Sequence, residues 1–243
     1  MLKIVKDSVL RVSRSFGYDI VPLRDMKERD FALHLRELLA RLDIDCVLDV
    51  GANAGQYHDF LRDKVLYDGP IISFEPVSHH IDALRERSRG DRDWHIEGYA
   101  LGSRDGSMPI NVMVSDQLPN VPCHTETVTV RTLDVVLPVL QERIGFDRPY
   151  LKIDTQGSDI EVLRGAGDSL PAVKALQTEA SVIGIYKSMP SYMDTIRYLN
   201  ERGFEITGLY PISRDRSLRL VEFDCVMINA AMVAPIRARS QFS

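Results

Sequence analysis

Two carboxylates stand where each could meet a bound hydroxyl. Asp154 closes the apolar run Tyr150-Leu151-Lys152-Ile153, and Glu179 closes Ala175-Leu176-Gln177-Thr178. Short apolar runs of this kind read as buried strands, which places the two acids over neighbouring strand tips facing one crevice. Either can take a proton from a hydroxyl as a general base. The pair can also hold a hard divalent cation, Mg²⁺ or Mn²⁺, because such ions take carboxylate oxygens and bridge to substrate oxygens. Direct base action is the preferred reading of the two. Lys152 could orient or deprotonate a substrate if burial lowers its pKa, or it could pair with Asp154 or Glu179. His124 is an alternative base, since imidazole titrates near neutral pH.

A second constellation lies upstream, in Val47-Leu48-Asp49-Val50-Gly51-Ala52-Asn53-Ala54-Gly55-Gln56-Tyr57. Here an apolar run ends in a glycine-spaced turn, and Gly51 and Gly55 permit backbone angles and a close ligand approach that a Cβ would obstruct. A dinucleotide turn would need glycine at its third and sixth positions, which are Asn53 and Gln56. A phosphate loop would end in Gly-Lys-Ser/Thr, whereas His58-Asp59-Phe60 follows. Both phosphate readings fail, and what remains is an Asp-x-Gly-x-Asn-x-Gly turn at a strand tip, as a bound nucleoside would meet it. Glu75, at the end of Phe74-Glu75-Pro76 and 20 positions past Gly55, can accept hydrogen bonds from both ribose hydroxyls. Ala100-Leu101-Gly102 offers small, flat side chains to an adenine edge. His79 and His80 line that side or begin a helix.

In this order, Asp49-Val50-Gly51-Ala52-Asn53-Ala54-Gly55, Phe74-Glu75-Pro76, Ala100-Leu101-Gly102, Thr132-Leu133-Asp134 and the stretch from Lys152-Ile153-Asp154 to Gly165-Ala166 resemble the FkbM-type methyltransferases. The resemblance runs from Val47 to Ile228. It implies a class I S-adenosylmethionine (SAM) methyltransferase fold of the Rossmann-like α/β class, with SAM as cofactor and O-methylation of a sugar, glycolipid or secondary-metabolite hydroxyl. In that frame Asp49, Gly51, Asn53, Gly55, Tyr57, Glu75, Ala100, Leu101 and Asp154 are the expected cofactor residues. Asp49 would brace the turn and the methionine amino end. The family wording Lys-Ile-Asp-Val-Glu-Gly-x-Glu is altered by Gln156 and Asp159, which keeps an alternative open: a non-catalytic SAM-fold module recruited to a membrane or a biosynthetic complex.

These residues need a parallel sheet to bring them together. Strand signals at Cys46–Val50, Ile71–Glu75, Trp94–Leu101, Tyr150–Asp154 and Ala175–Ala180 alternate with helical stretches near 56–64, 79–88, 158–164 and 191–202. Phe204–Leu209 and Leu220–Ile228 suit a final antiparallel pair, completing a seven-stranded, mostly parallel sheet. Alternation at Ile110, Val112 and Val114, then Val128, Val130 and Thr132, predicts a β-hairpin insert between the third and fourth strands, with 115–124 as a substrate lid. A helix at Lys27–Leu42 is expected to cover one edge of the sheet. Residues 2–16 form a basic amphipathic stretch that caps the core and could touch an anionic membrane. Tyr186 and Tyr192 could stack on a sugar ring.

Length and composition fit one unit: a helical cap over 1–45, a SAM-binding domain over 46–230 with its insert at about 106–135, and a tail over 231–243. The formal charge of −5 supplies no basic field for a polyanion, so nucleic acid is excluded as the default partner. Three cysteines lack metal-ligand spacing, and Cys46 and Cys225 lie in apolar runs. A reducing cytoplasm is the expected location. The sequence is silent on oligomeric state.

Overall fold

The computed structural model describes residues 26–112, 124–155, 157–182 and 191–233, together with Val12 and Phe16. Most of the 2–16 stretch, most of the expected lid, Gln156, Tyr186 and most of the tail lie outside the described residues. Among those described, no helix is long and apolar enough to cross a membrane.

The apolar runs become strands β1 (Cys46–Val50), β2 (Ile71–Phe74), β3 (Trp94–Glu97), β7 (Pro149–Ile153) and β8 (Ala175–Ser181), all parallel to one another. Every residue of β1, β2 and β7 is buried, as a sheet covered on both faces requires. The pair β9 (Phe204–Arg214) and β10 (Leu220–Asn229) completes the sheet, with β10 inserted antiparallel between β8 and β9. The order is β3-β2-β1-β7-β8-β10-β9. The chain steps outward from β1 to β3 and resumes at β7 on the other side of β1. The ends of β1 and β7 therefore flank the switch point, where open α/β sheets hold their ligands.

Alternate side chains along the strands build two cores. On one face Leu48, Val50, Phe74, Leu151 and Ile153 pack with helices α4 (Leu133–Ile144), α5 (Asp159–Arg164) and α6 (Tyr192–Asn200). On the other, Val47, Ile71, Tyr150, Ala175 and Val226 pack with α1 (Met26–Arg41), α2 (Gln56–Phe60, continued by a π turn over Leu61–Val65) and α3 (Ser78–Ser88). The apolar stripe Leu35-Leu38-Leu39-Leu42 thus covers a face of the sheet, not an edge. The stripe belongs to one buried cluster with residues of β1, β2, β7, β8 and β10.

The expected third strand divides. Trp94–Glu97 joins the large sheet, whereas Ala100–Leu101 (β4) pairs parallel with the insert. The insert is an antiparallel hairpin, β5 (Gly106–Val112) and β6 (His124–Arg131), in a small sheet of order β4-β6-β5. Thr132 is not part of the hairpin. It is the residue before α4, and its N–H and hydroxyl donate to Asp105 Oδ1 at 2.7 and 3.3 Å. Helix α4 escaped the sequence reading because Pro138 lies inside it, yet its stripe of Leu133, Val136, Leu137 and Leu140 is buried.

Candidate active site

The carboxyl ends of β1, β2, β7 and β8 open into a cavity of about 990 Å³. Its first wall is the glycine turn. Gly51 has φ +81°, and a Cβ there would lie 1.9 Å from the Asp154 carbonyl oxygen. A Cβ on Gly55, φ +85°, would meet Arg87, Leu84 and Trp94. Both glycines therefore serve close protein packing, and only Gly51 also lines the cavity. Asn53, at φ +48°, turns its N–H onto Glu75 Oε2 at 2.8 Å, and the Val77 N–H meets Glu75 Oε1 at 2.9 Å. Burial raises the Glu75 pKa against the opposing pull of those two N–H groups. A carboxylate offers about four acceptor sites, so two remain for a diol. Ala100, Leu101, Met108, Ile110 and Val112 form an apolar wall beyond it. One fixed carboxylate beside an apolar slot fits the ribose and adenine of SAM.

The second wall is a polar row crossing the sheet. Parallel register sets Ser73, Asp49, Lys152 and Gln177 abreast on β2, β1, β7 and β8. Lys152 Nζ lies 3.0 Å from Asp49 Oδ1, 3.4 Å from Asp154 Oδ2 and 5.0 Å from the centre of the Tyr57 ring. Burial alone would lower the Lys152 pKa, but Asp49 and Asp154 outweigh it and hold the ammonium above its ordinary value. That charge suits Lys152 to an orienting contact with Asp154. The Tyr57 and Tyr150 hydroxyls both donate to Gln177 Oε1, at 2.8 and 3.3 Å. With its oxygen so engaged, Gln177 turns its Nε2 to donate to Asp224 Oδ1 at 2.8 Å.

The third wall holds the acids. Asp154 and Glu179 share a hydrogen bond, and Glu179 is pushed up to about 8 by burial first and by Asp154 second. Two carboxyl groups in hydrogen-bond contact share a proton. Asp224 stands opposite Glu179 in the antiparallel register and is pushed up to about 6, again chiefly by burial. Asp159 is tied back into the protein: it accepts from Thr155 N at 2.9 Å, Thr155 Oγ1 at 2.5 Å and Thr178 Oγ1 at 3.1 Å. That short acid binds the tips of β7 and β8 together. Among the described residues, no group of three or more His, Cys, Asp or Glu side chains is arranged to hold a metal ion.

Of the expected residues, the cavity gathers Gly51, Asn53, Tyr57, Glu75, Ala100, Leu101, Lys152, Asp154 and Glu179. Asp49 and Gly55 lie behind its surface. His124 is also outside it, with Nε2 2.9 Å from Glu126 at the start of β6. His80 lines the cavity from the first turn of α3. Tyr192 packs edge-on against Phe223 at 5.8 Å and is not among the cavity's lining residues. Cys46 and Cys225 are buried, with both thiols pushed far up by desolvation.

The sequence reading missed Asp224, Gln177, Glu28, Phe31 and Tyr210, all of which line the cavity. Asp224 carried a signal, an acid inside the apolar run Phe223-Asp224-Cys225-Val226. Phe31 and Tyr210, whose rings meet at 4.8 Å, carried none, because only the fold brings α1 to β9.

No curated protein matches the chain. Among solved structures, the human methyltransferase 10 domain containing protein is 13% identical with a TM-score of 0.45, over 94% of this chain and 96% of that one. Fibrillarin from Aeropyrum pernix, solved with natively bound S-adenosyl-L-methionine, is 14% identical with a TM-score of 0.44, over 76% of this chain and 66% of that one. The methyltransferase FkbM domain model matches residues 49–206, more than half of the chain. From the strand that delivers the glycine turn to the final antiparallel pair, this chain belongs to the FkbM methyltransferases and uses SAM as its methyl donor.

Proposed function

We propose that this enzyme O-methylates a hydroxyl of a sugar, glycolipid or secondary-metabolite intermediate, with residues 46–230 as its catalytic unit. The observation that carries this reading is the Asp154–Glu179 pair, with Glu179 pushed up to about 8 inside a cavity whose other end fits a nucleoside. When bound, SAM supplies an electrophilic methyl group. The protein must then align the acceptor oxygen and take away its proton. A base is most effective when its pKa lies near the working pH, and Glu179 meets that condition. Ionised Glu179 accepts the hydroxyl proton, while Lys152 orients Asp154 beside it. Glu75 holds the ribose, and Ala100 and Leu101 border the adenine. At about 990 Å³ the cavity lies near the top of the range for small-molecule sites, which supports room for donor and acceptor together.

The test is incubation with methyl-labelled SAM and a polar-lipid plus sugar extract of the source organism. The expected product carries the label as a methyl ether. Label found as an N-methyl, an S-methyl or a methyl ester overturns the reading. Turnover abolished by EDTA and restored by Mg²⁺ or Mn²⁺ would transfer Asp154 and Glu179 from base chemistry to metal binding.

A further inference from the structure

Asp49 opens the motif expected to hold the cofactor, yet the fold gives both of its oxygens to the protein. Oδ1 takes Lys152 Nζ at 3.0 Å, and Oδ2 accepts from Ser73 Oγ at 3.2 Å. Trp94 Nε1 donates to Ser73 Oγ at 3.0 Å, so the serine proton is directed at Asp49. Asp49 is 0% exposed, and Lys152 is 5% exposed at the cavity wall. The backbone register that sets Ser73, Asp49 and Lys152 abreast fixes this row before any ligand arrives. An ammonium has three N–H donors. One goes to Asp49, a second is directed at Asp154 Oδ2 3.4 Å away, and the Tyr57 ring borders the remaining side at 5.0 Å.

We propose that Asp49 is a positioning residue: with Ser73 and Trp94 behind it, it fixes the Lys152 ammonium, and through Lys152 the Asp154 carboxylate, while making no contact with the cofactor. The acceptor side of this inference rests on the O-methylation reading. A buried cation stripped of its main counter-ion keeps a costly charge with a poorer partner, so it moves or loses its proton. In either case Asp154 loses its orientation, while Glu75 and the apolar wall that fit the nucleoside are untouched.

The experiment compares full-length wild type with Asp49→Asn and Ser73→Ala in two measurements. Calorimetric titration gives the SAM Kd, and methyl-labelled SAM at saturation with the same extract gives turnover. The expected result is a SAM Kd within about twofold of wild type for both variants, with turnover reduced about tenfold or more by Asp49→Asn and severalfold by Ser73→Ala. Lys152→Met should lose as much turnover as Asp49→Asn, and the double variant little more, because the two act as one unit. A SAM Kd raised tenfold with turnover retained at saturation makes Asp49 a cofactor ligand and overturns the inference. If Asp49→Asn fails to fold, Ser73→Ala decides, and its unchanged turnover overturns the inference equally. Wild-type protein that binds SAM but methylates no hydroxyl overturns the O-methylation reading instead, and the SAM titrations still decide the place of Asp49.

Discussion

Glu179 sits in a partly desolvated crevice with Asp154, Glu222 and Asp159 adding negative charge around it, and all four effects favour the protonated acid. A base must give up that proton before it can act. Methyl transfer should therefore rise with pH through about 8, the value to which Glu179 is pushed, and level off above it. Glu179→Gln should lower kcat by about 10²-fold or more and flatten this rise, with the SAM Kd little changed. Initial rates against pH for both proteins check this, and a steep alkaline rise retained by Glu179→Gln would assign the proton transfer elsewhere. Glu179 was visible in the sequence because an acid at the end of an apolar run is a local pattern. Lys152 was visible too, but its charge state was not, since that depends on Asp49, 103 positions away in the chain.

The hairpin is the element that gives the cavity its apolar side. Met108, Ile110 and Val112 of β5 give the apolar wall, and Glu126 of β6 ties the hairpin to the start of α3. Glu126 Oε2 accepts from the Ser78 N–H at 3.1 Å and the Ser78 hydroxyl at 2.9 Å, while Oε1 meets His124. These contacts, led by the one with His124, hold the Glu126 carboxyl down at about 2. His124, read from sequence as a candidate base, pairs with Glu126 two residues along the same strand, away from the cavity lining. Glu126→Ala should loosen the wall beside Glu75 and weaken SAM binding about fivefold, the scale of one modest hydrogen bond. Calorimetric titration checks this, and a Kd equal to wild type would leave the fastening without a role in binding. The hairpin was legible because two-residue alternation is a backbone property. What it fastens to was not, since Ser78 and Glu126 lie 48 positions apart.

At the scale of the whole molecule, the buried acids trade stability for chemistry. Glu179 and Asp224 both have folded pKa values raised above the ordinary carboxylate range, to about 8 and about 6. The folded state therefore binds these protons more tightly than the unfolded chain does. Their contribution is fully present below the unfolded values and is lost as pH climbs through the folded ones. Tm should fall as pH rises from about 5 to about 8, and Glu179→Gln combined with Asp224→Asn should flatten that fall. Scanning calorimetry across this range checks it, and a Tm independent of pH in the wild type would show that these acids ionise freely in the fold. The sequence by itself determined the glycine turn, the order of strand-tip motifs and the parallel sheet with its antiparallel close. Each follows from backbone angles and side-chain periodicity, which are local properties of the chain. Only the tertiary structure decided that Asp224 faces Glu179, that Asp49 pairs with Lys152, and that α1 and β9 line the cavity. Those contacts depend on strand order and register, which come from packing between distant segments and leave no pattern in any one of them.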